Sequence, residues 1–155
     1  MPFRIEEDGS ARIMLITSRG SGRWIIPKGN PMRGMKAHVA AAHEAYEEAG
    51  LSGHSFATAI GRFHYRKRLK TGETRAIEVE VFPLAVAAQA ADWPEKHERQ
   101  THWFTVADAA SAVSEPDLSG IIRRFRPPPA SARAEGGWFR RAVRLFGRQP
   151  PTPGG

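Results

Sequence analysis

The chain contains no cysteine, which excludes disulfide staples, thiolate metal sites and cysteine nucleophiles together. Aromatic residues are sparse at 9%, and only two of them are tyrosines. No uninterrupted apolar run approaches the ~18 residues that a membrane-crossing helix needs. The first ten residues lack a basic start followed by an apolar stretch, so no secretory signal is expected and a cytoplasmic setting is. No internal repeat is visible. What remains is ordinary globular composition: 155 residues, 41% apolar and 25% charged, enough for one domain with a real core.

Charge is the first positive signal. With 23 Lys and Arg against 16 Asp and Glu, the formal net charge is +7, which points to an anionic partner. From Pro127 onward there are five arginines and a single glutamate, together with six of the twelve prolines. That shift predicts a domain over 1–126 and a basic, Pro-rich extension over 127–155. Within the extension, residues 137–147 read as a short amphipathic segment. Trp138, Phe139, Ala142, Val143 and Phe146 share one helical face, with arginines largely off it, a pattern suited to the chain's own domain, a partner or an anionic surface.

Inside the domain, Arg12–Thr17 and Trp24–Ile26 are short apolar runs that read as strands. A Gly/Pro loop over 29–34 follows, then a helix over Ala37–Ala49, rich in Ala and Glu and closed by Gly50. Phe56–Tyr65 and Arg75–Ala88 are expected as strands flanking a basic hairpin loop over 66–72, and His102–Phe104 as a last strand. Helices are expected over 106–113 and 117–125. The order predicts a mixed α/β domain with a helix-covered sheet.

Glu44, Glu47 and Glu48 stand at i, i+3 and i+4, which puts three carboxylates within about 100° of one helical face. Such a stripe is either a solvated acidic face or an oxygen ligand set for a hard divalent ion such as Mg2+ or Mn2+. The segment around it resembles the Nudix box: a Gly, five residues, Glu, seven residues, then Arg-Glu-apolar-x-Glu-Glu-x-Gly-apolar. Gly29, Glu44, Ala45, Glu47, Glu48, Gly50 and Leu51 match it in register, while Met35 and His43 stand where the pattern has Glu and Arg.

The resemblance, which covers roughly residues 3–126, implies a Nudix-type α/β/α sandwich with a mixed sheet. It also implies a Mg2+-dependent pyrophosphohydrolase, with Mn2+ as a possible substitute, in which Glu44, Glu47 and Glu48 hold metal. The base in this family is a box glutamate or one from a later loop, so Glu98 joins the catalytic candidates, with Glu95 beside it. The turn and box entry are most similar to the diphosphoinositol and diadenosine polyphosphate hydrolase branch. On that likeness Ser18, Arg19 and Arg99 are expected to contact phosphate. Arg23, Lys28, Arg66 and Arg68 are further cationic candidates, and Gly29 lets backbone approach the ligand. The expected partner is a polyphosphorylated small molecule: a diphosphoinositol polyphosphate, a dinucleoside polyphosphate or a nucleoside diphosphate derivative. The alternative is a catalytically weakened binding or regulatory module of the same fold, suggested by Met35 and His43.

Overall fold

A computed structural model describes residues 1–129 of the chain. The amphipathic segment expected over 137–147 lies outside the described residues. Among the described residues eight strands and three helices follow one another in the order β1 (Pro2–Ile5), β2 (Ala11–Thr17), β3 (Trp24–Ile25), α1 (Ala37–Ala49), β4 (Leu51–Ser55), β5 (Gly61–Arg68), β6 (Thr74–Val81), β7 (Leu84–Gln89), β8 (Thr101–Thr105), α2 (Val106–Ala112) and α3 (Pro116–Arg123). Among the described residues no helix is long and apolar enough to cross a membrane.

β2 is the hub of a six-stranded mixed sheet. It pairs antiparallel with β1, β3 and β8, while β1 runs parallel to β7 and β7 antiparallel to β4. Its run Ile13-Met-Leu-Ile16 is buried throughout, as expected of a strand covered on both faces. Phe3, Ile13, Leu15, Leu51, Phe63 and Leu118 are completely or almost completely buried, each contributing about 1.5–3 kcal/mol. The ring of Phe125 meets Phe3 edge-on at 5.0 Å and closes the core over α3.

Several expected boundaries move, each for a physical reason. The single strand expected over Arg75–Ala88 is two, because Phe82-Pro83 interrupts it and proline has no N–H to give a ladder. The carbonyl of Pro83 instead accepts from Phe56 N–H at 3.0 Å. Phe56 therefore packs in a connection, and the strand expected there starts only at Gly61. β5 in turn runs on to Arg68, so the first three residues of the basic stretch assigned to a loop, 66–68, are strand. Only the turn after it is irregular, with Leu69 N–H bonded to Glu73 O at 2.8 Å. β1 and β4 were not expected at all. β4 reads Leu-Ser-Gly-His-Ser, weak in β-formers, and it is a strand because β7 pairs with it across a bulge at Ser52/Gly53.

Candidate active site

Helix α1 carries the acidic stripe, and alanines at 40, 42, 45 and 49 let its inner face pack closely. Its last turn contains Glu47 and Glu48 but no basic residue. Carboxylates at the negative end of a helix dipole are unfavourable, so their presence asks for a compensating cation. The helix stops at Gly50, whose φ of 69° is left-handed, and the ring of Trp93 lies where a side chain on residue 50 would be. The segment 90–100 docks on this end: Glu95 N–H bonds to Glu47 O at 3.0 Å and Ala90 N–H to Gly50 O at 2.8 Å.

The three glutamates meet different surroundings. Glu48 is buried, with 5% of its surface exposed. Its Oε2 accepts the Lys28 backbone N–H at 2.9 Å, and its Oε1 accepts from the Arg99 guanidinium. Burial still pushes its carboxyl up to about 7, because the Lys28 N–H and Arg99 only partly offset it and Glu95 and Glu44 add repulsion. Glu44 is half-buried and also raised, first by burial and then by Glu47. Its carboxyl group lies where a Cβ on residue 29 would stand, 1.8 Å from that point to Glu44 Cδ, so any larger residue there displaces the Glu44 carboxylate. Glu47 has 40% of its side chain exposed, and His43 Nδ1 sits 3.4 Å from its Oε2.

Arg99 takes a different place from the phosphate-contacting one expected of it. Its side chain is 8% exposed and fully engaged: Glu48 on one side, Glu95 at 2.6 Å on another, and the Thr17 carbonyl at 3.1 Å. Arg19, which is well exposed, bonds Glu98 at 3.0 Å and lies 3.7 Å from Glu95. A chain of alternating charges thus runs from the box helix through Glu48, Arg99, Glu95, Arg19 and Glu98. Ser18 Oγ and Ser21 Oγ are 2.7 Å apart in the adjoining turn, where Arg23 Nε donates to Ser21 at 3.0 Å.

Arg66 and Arg68 are not brought to this site. Along β5, Phe63 and Tyr65 face inward and Arg62 and His64 outward, so the strand period of two places Arg66 and Arg68 on the outer face. Arg62 there bonds Glu80 at 2.9 Å. The residue that sequence reasoning missed is Tyr65, which holds the Lys28 ammonium 4.0 Å from its ring centre. An alternating strand pattern continued through Tyr65 would have been the available signal.

The donor set suits a hard divalent ion: three carboxylates on one stripe, two of them favouring a bound positive charge because burial disfavours their bare ionised form. As the side chains stand, no three acidic or histidine groups among the described residues gather round one point. Glu47, with 40% of its side chain exposed, would have to turn away from His43 to join the other two.

A mixed sheet with a glycine-rich loop leading into an acidic helix, braced from below by a buried arginine, defines the class of α/β domain. The NUDIX domain model matches residues 3–125, and the chain belongs to that family. It is 30% identical over 128 residues to Nudix hydrolase 21, chloroplastic, of Arabidopsis thaliana, covering 81% of this chain and 63% of that one. It is also 30% identical over 113 residues to diphosphoinositol polyphosphate phosphohydrolase 3-alpha of Mus musculus, covering 72% of this chain and 64% of that one. The chain thus spans somewhat under two-thirds of the length of these relatives. The fold is similar to that of a C. elegans Ap4A hydrolase in a binary complex, with a TM-score of 0.57 and 21% identity over 80% of this chain and 89% of that one.

Proposed function

We propose that this chain is a divalent-cation-dependent pyrophosphohydrolase that cleaves a diphosphate linkage in a polyphosphorylated small molecule, with Mg2+ as the working ion and Mn2+ as a substitute. The observation that carries the reading is Glu48, a buried carboxylate at a helix C-terminus held by the Lys28 N–H and Arg99, with Glu44 one turn earlier against Gly29. A fold has no stability reason to bury that charge there. A cytoplasmic setting belongs to the same reading, on the lack of cysteine.

Glu44, Glu47 and Glu48 would hold the cation, which when bound neutralises phosphate oxygens and makes a water more acidic. The chain's own residues do the rest. Lys28 N–H and Arg99 fix the Glu48 carboxylate in one rotamer, so its oxygens are aimed before ligand arrives. Ser18, Arg19 and Arg23 form the polar turn beside that carboxylate and supply donors for phosphate oxygens. Glu98, steered by Arg19, and Glu95, steered by Arg99, are the carboxylates outside the box available to accept the proton of the attacking water.

The test is chromatographic detection of the products of hydrolysis with Mg2+ or Mn2+: two nucleotides from a dinucleoside polyphosphate, two phosphorylated products from a nucleoside diphosphate derivative, and phosphate from a diphosphoinositol polyphosphate. Glu47→Gln and Glu48→Gln are each expected to lower kcat by at least about a hundredfold while the far-ultraviolet circular dichroism stays native. Near-wild-type turnover in both variants would reject the assignment.

A further inference from the structure

The β5–β6 hairpin forms a two-stranded sheet of its own, and its charge divides it into two halves. In the inner half the cations have counterions. Arg62 bonds Glu80 at 2.9 Å and lies 3.8 Å from Glu78, while His64 sits 3.3 Å from Glu78 and 3.2 Å from Asp117 on α3. The outer half is arranged differently. Arg66 stands opposite Ala76, Arg68 opposite Thr74 and Lys67 directly opposite Arg75, with Lys70 in the turn beyond. Against these five cations residues 66–76 hold a single acid, Glu73. Among the described residues none of the five cations is ion-paired. Every residue from 66 to 76 except Leu69 is exposed.

Stability does not account for that outer half. Like charges directly opposite each other on antiparallel strands are destabilising, so the Lys67–Arg75 pair is a cost to the fold. Charge does guard strands against edge-to-edge pairing, but mixed signs, as in the inner half, would guard equally well. Charge of one sign instead complements a polyanion. The strand period puts Arg66 and Arg68 on one face of the ribbon and Lys67 and Arg75 on the other. A flat anionic surface meets one face at a time, whereas a groove with a phosphate rail on either side meets both. With its side chains a ribbon is about 10 Å thick. That suits the ~12 Å major groove of B-form DNA, exceeds its ~6 Å minor groove, and is too broad for the narrow major groove of duplex RNA. Residues 66–76 contain no aromatic side chain on which unpaired bases could stack, which disfavours single strands.

We propose that the outer half of the β5–β6 hairpin is an arm that seats in the major groove of double-stranded DNA and grips phosphates on both sides, irrespective of sequence. The arm lies apart from the hydrolase site: Arg66 and Arg68 face away from it, and the proposal stands whether or not the chain turns over a diphosphate.

The test is fluorescence anisotropy of a short labelled DNA duplex titrated with the full chain between ~50 and ~200 mM NaCl. Each phosphate engaged steepens the fall of log affinity with log salt by about 0.9, so the five hairpin cations contribute about 4.5 to the slope. The double variant Arg66→Gln/Arg68→Gln should make the slope shallower by about 2 and weaken binding at ~100 mM salt at least about tenfold. Lys67→Thr should weaken duplex binding several-fold and at the same time raise the urea midpoint, because it removes the repulsion opposite Arg75. Arg62→Gln, whose guanidinium is already neutralised, should leave the slope unchanged. An unaltered slope in the double variant would assign any binding to cations outside the hairpin and overturn the proposal. An equal fall in Arg62→Gln would do so too, since net charge alone would then explain the effect. A Lys67→Thr protein that loses stability along with affinity would mark a structural pair and count against the arm. Equal competition by single-stranded DNA, duplex RNA or phosphatidylserine vesicles at matched phosphate concentration would exclude the groove.

Discussion

Glu48→Gln, in protein stripped of divalent ions, offers the sharpest check on the energetics of the site. Burial raises the Glu48 carboxyl from 4.5 to about 7 in the fold, even with the Lys28 N–H and Arg99 in place. A carboxyl group that binds its proton more tightly folded than unfolded favours the fold in acid. That contribution is complete below 4.5 and is lost as pH rises through about 7. At ~1.4 kcal/mol for each unit of pKa, the loss amounts to roughly 3 kcal/mol. The Met1 amino group, donating to Phe82 O at 2.5 Å, acts in the opposite sense. Burial lowers it from 8.0 to about 5, so the fold binds fewer protons than the unfolded chain across that range and gains stability as pH rises. The two contributions oppose each other in the wild-type curve, so the difference between wild type and Glu48→Gln is the quantity to measure. Urea denaturation in EDTA from pH 4 to pH 8 should show the wild type losing roughly 3 kcal/mol relative to the variant, a midpoint change of about 1 M or more. Adding Mn2+ at pH 8 should restore the wild type and leave the variant unmoved, because the ion binds the ionised carboxylate. Parallel curves for the two proteins across the whole range would refute the reasoning.

Three further outcomes follow from the same geometry. Arg99→Ala strands Glu48 and Glu95 without their shared partner and should cost about 3–5 kcal/mol at pH 8 but markedly less at pH 5, where Glu48 is protonated; an equal shift of the urea midpoint at both pH values would contradict this. Gly29→Ala forces the Glu44 carboxylate out of its seat and should weaken Mn2+ binding about tenfold or more by calorimetry, with the fold retained by circular dichroism; unchanged affinity would show that Glu44 does not hold the ion. Gly50→Ala combines a left-handed backbone with a Cβ 2.7 Å from the Trp93 ring, and thermal unfolding should report a loss of roughly 1–3 kcal/mol; a loss below about 0.5 kcal/mol would mean that segment 90–100 yields freely.

The box helix was legible in the chain because everything that defines it is local. Alanine and glutamate propensity, a closing Gly50 and carboxylates at i, i+3 and i+4 need no distant partner to be read, and the helix runs over Ala37–Ala49 as expected. Strands that exist only through pairing were not legible. β4 has the composition of a loop until β7 supplies its hydrogen bonds, and β1 is placed by a parallel neighbour some eighty residues away in sequence. The hairpin arginines illustrate a subtler limit. Their charge is obvious in the sequence, but a strand turns alternate residues to opposite faces, and where β5 begins and which face is buried decide whether Arg66 points at a ligand or away from it.

By itself, then, the sequence determined the acidic stripe, the glycine loop that feeds it and the class of ion such oxygens suit, since these depend on helical periodicity and donor chemistry alone. Only the tertiary structure decided how those carboxylates behave. Glu48 and Arg99 are 51 residues apart, and their meeting depends on segment 90–100 folding onto the end of α1. Burial raises the proton affinity of Glu48, and Met35 comes to line the same cleft as Tyr65, thirty residues away. Desolvation and enclosure arise only when distant segments come together, so no reading of one segment could contain them.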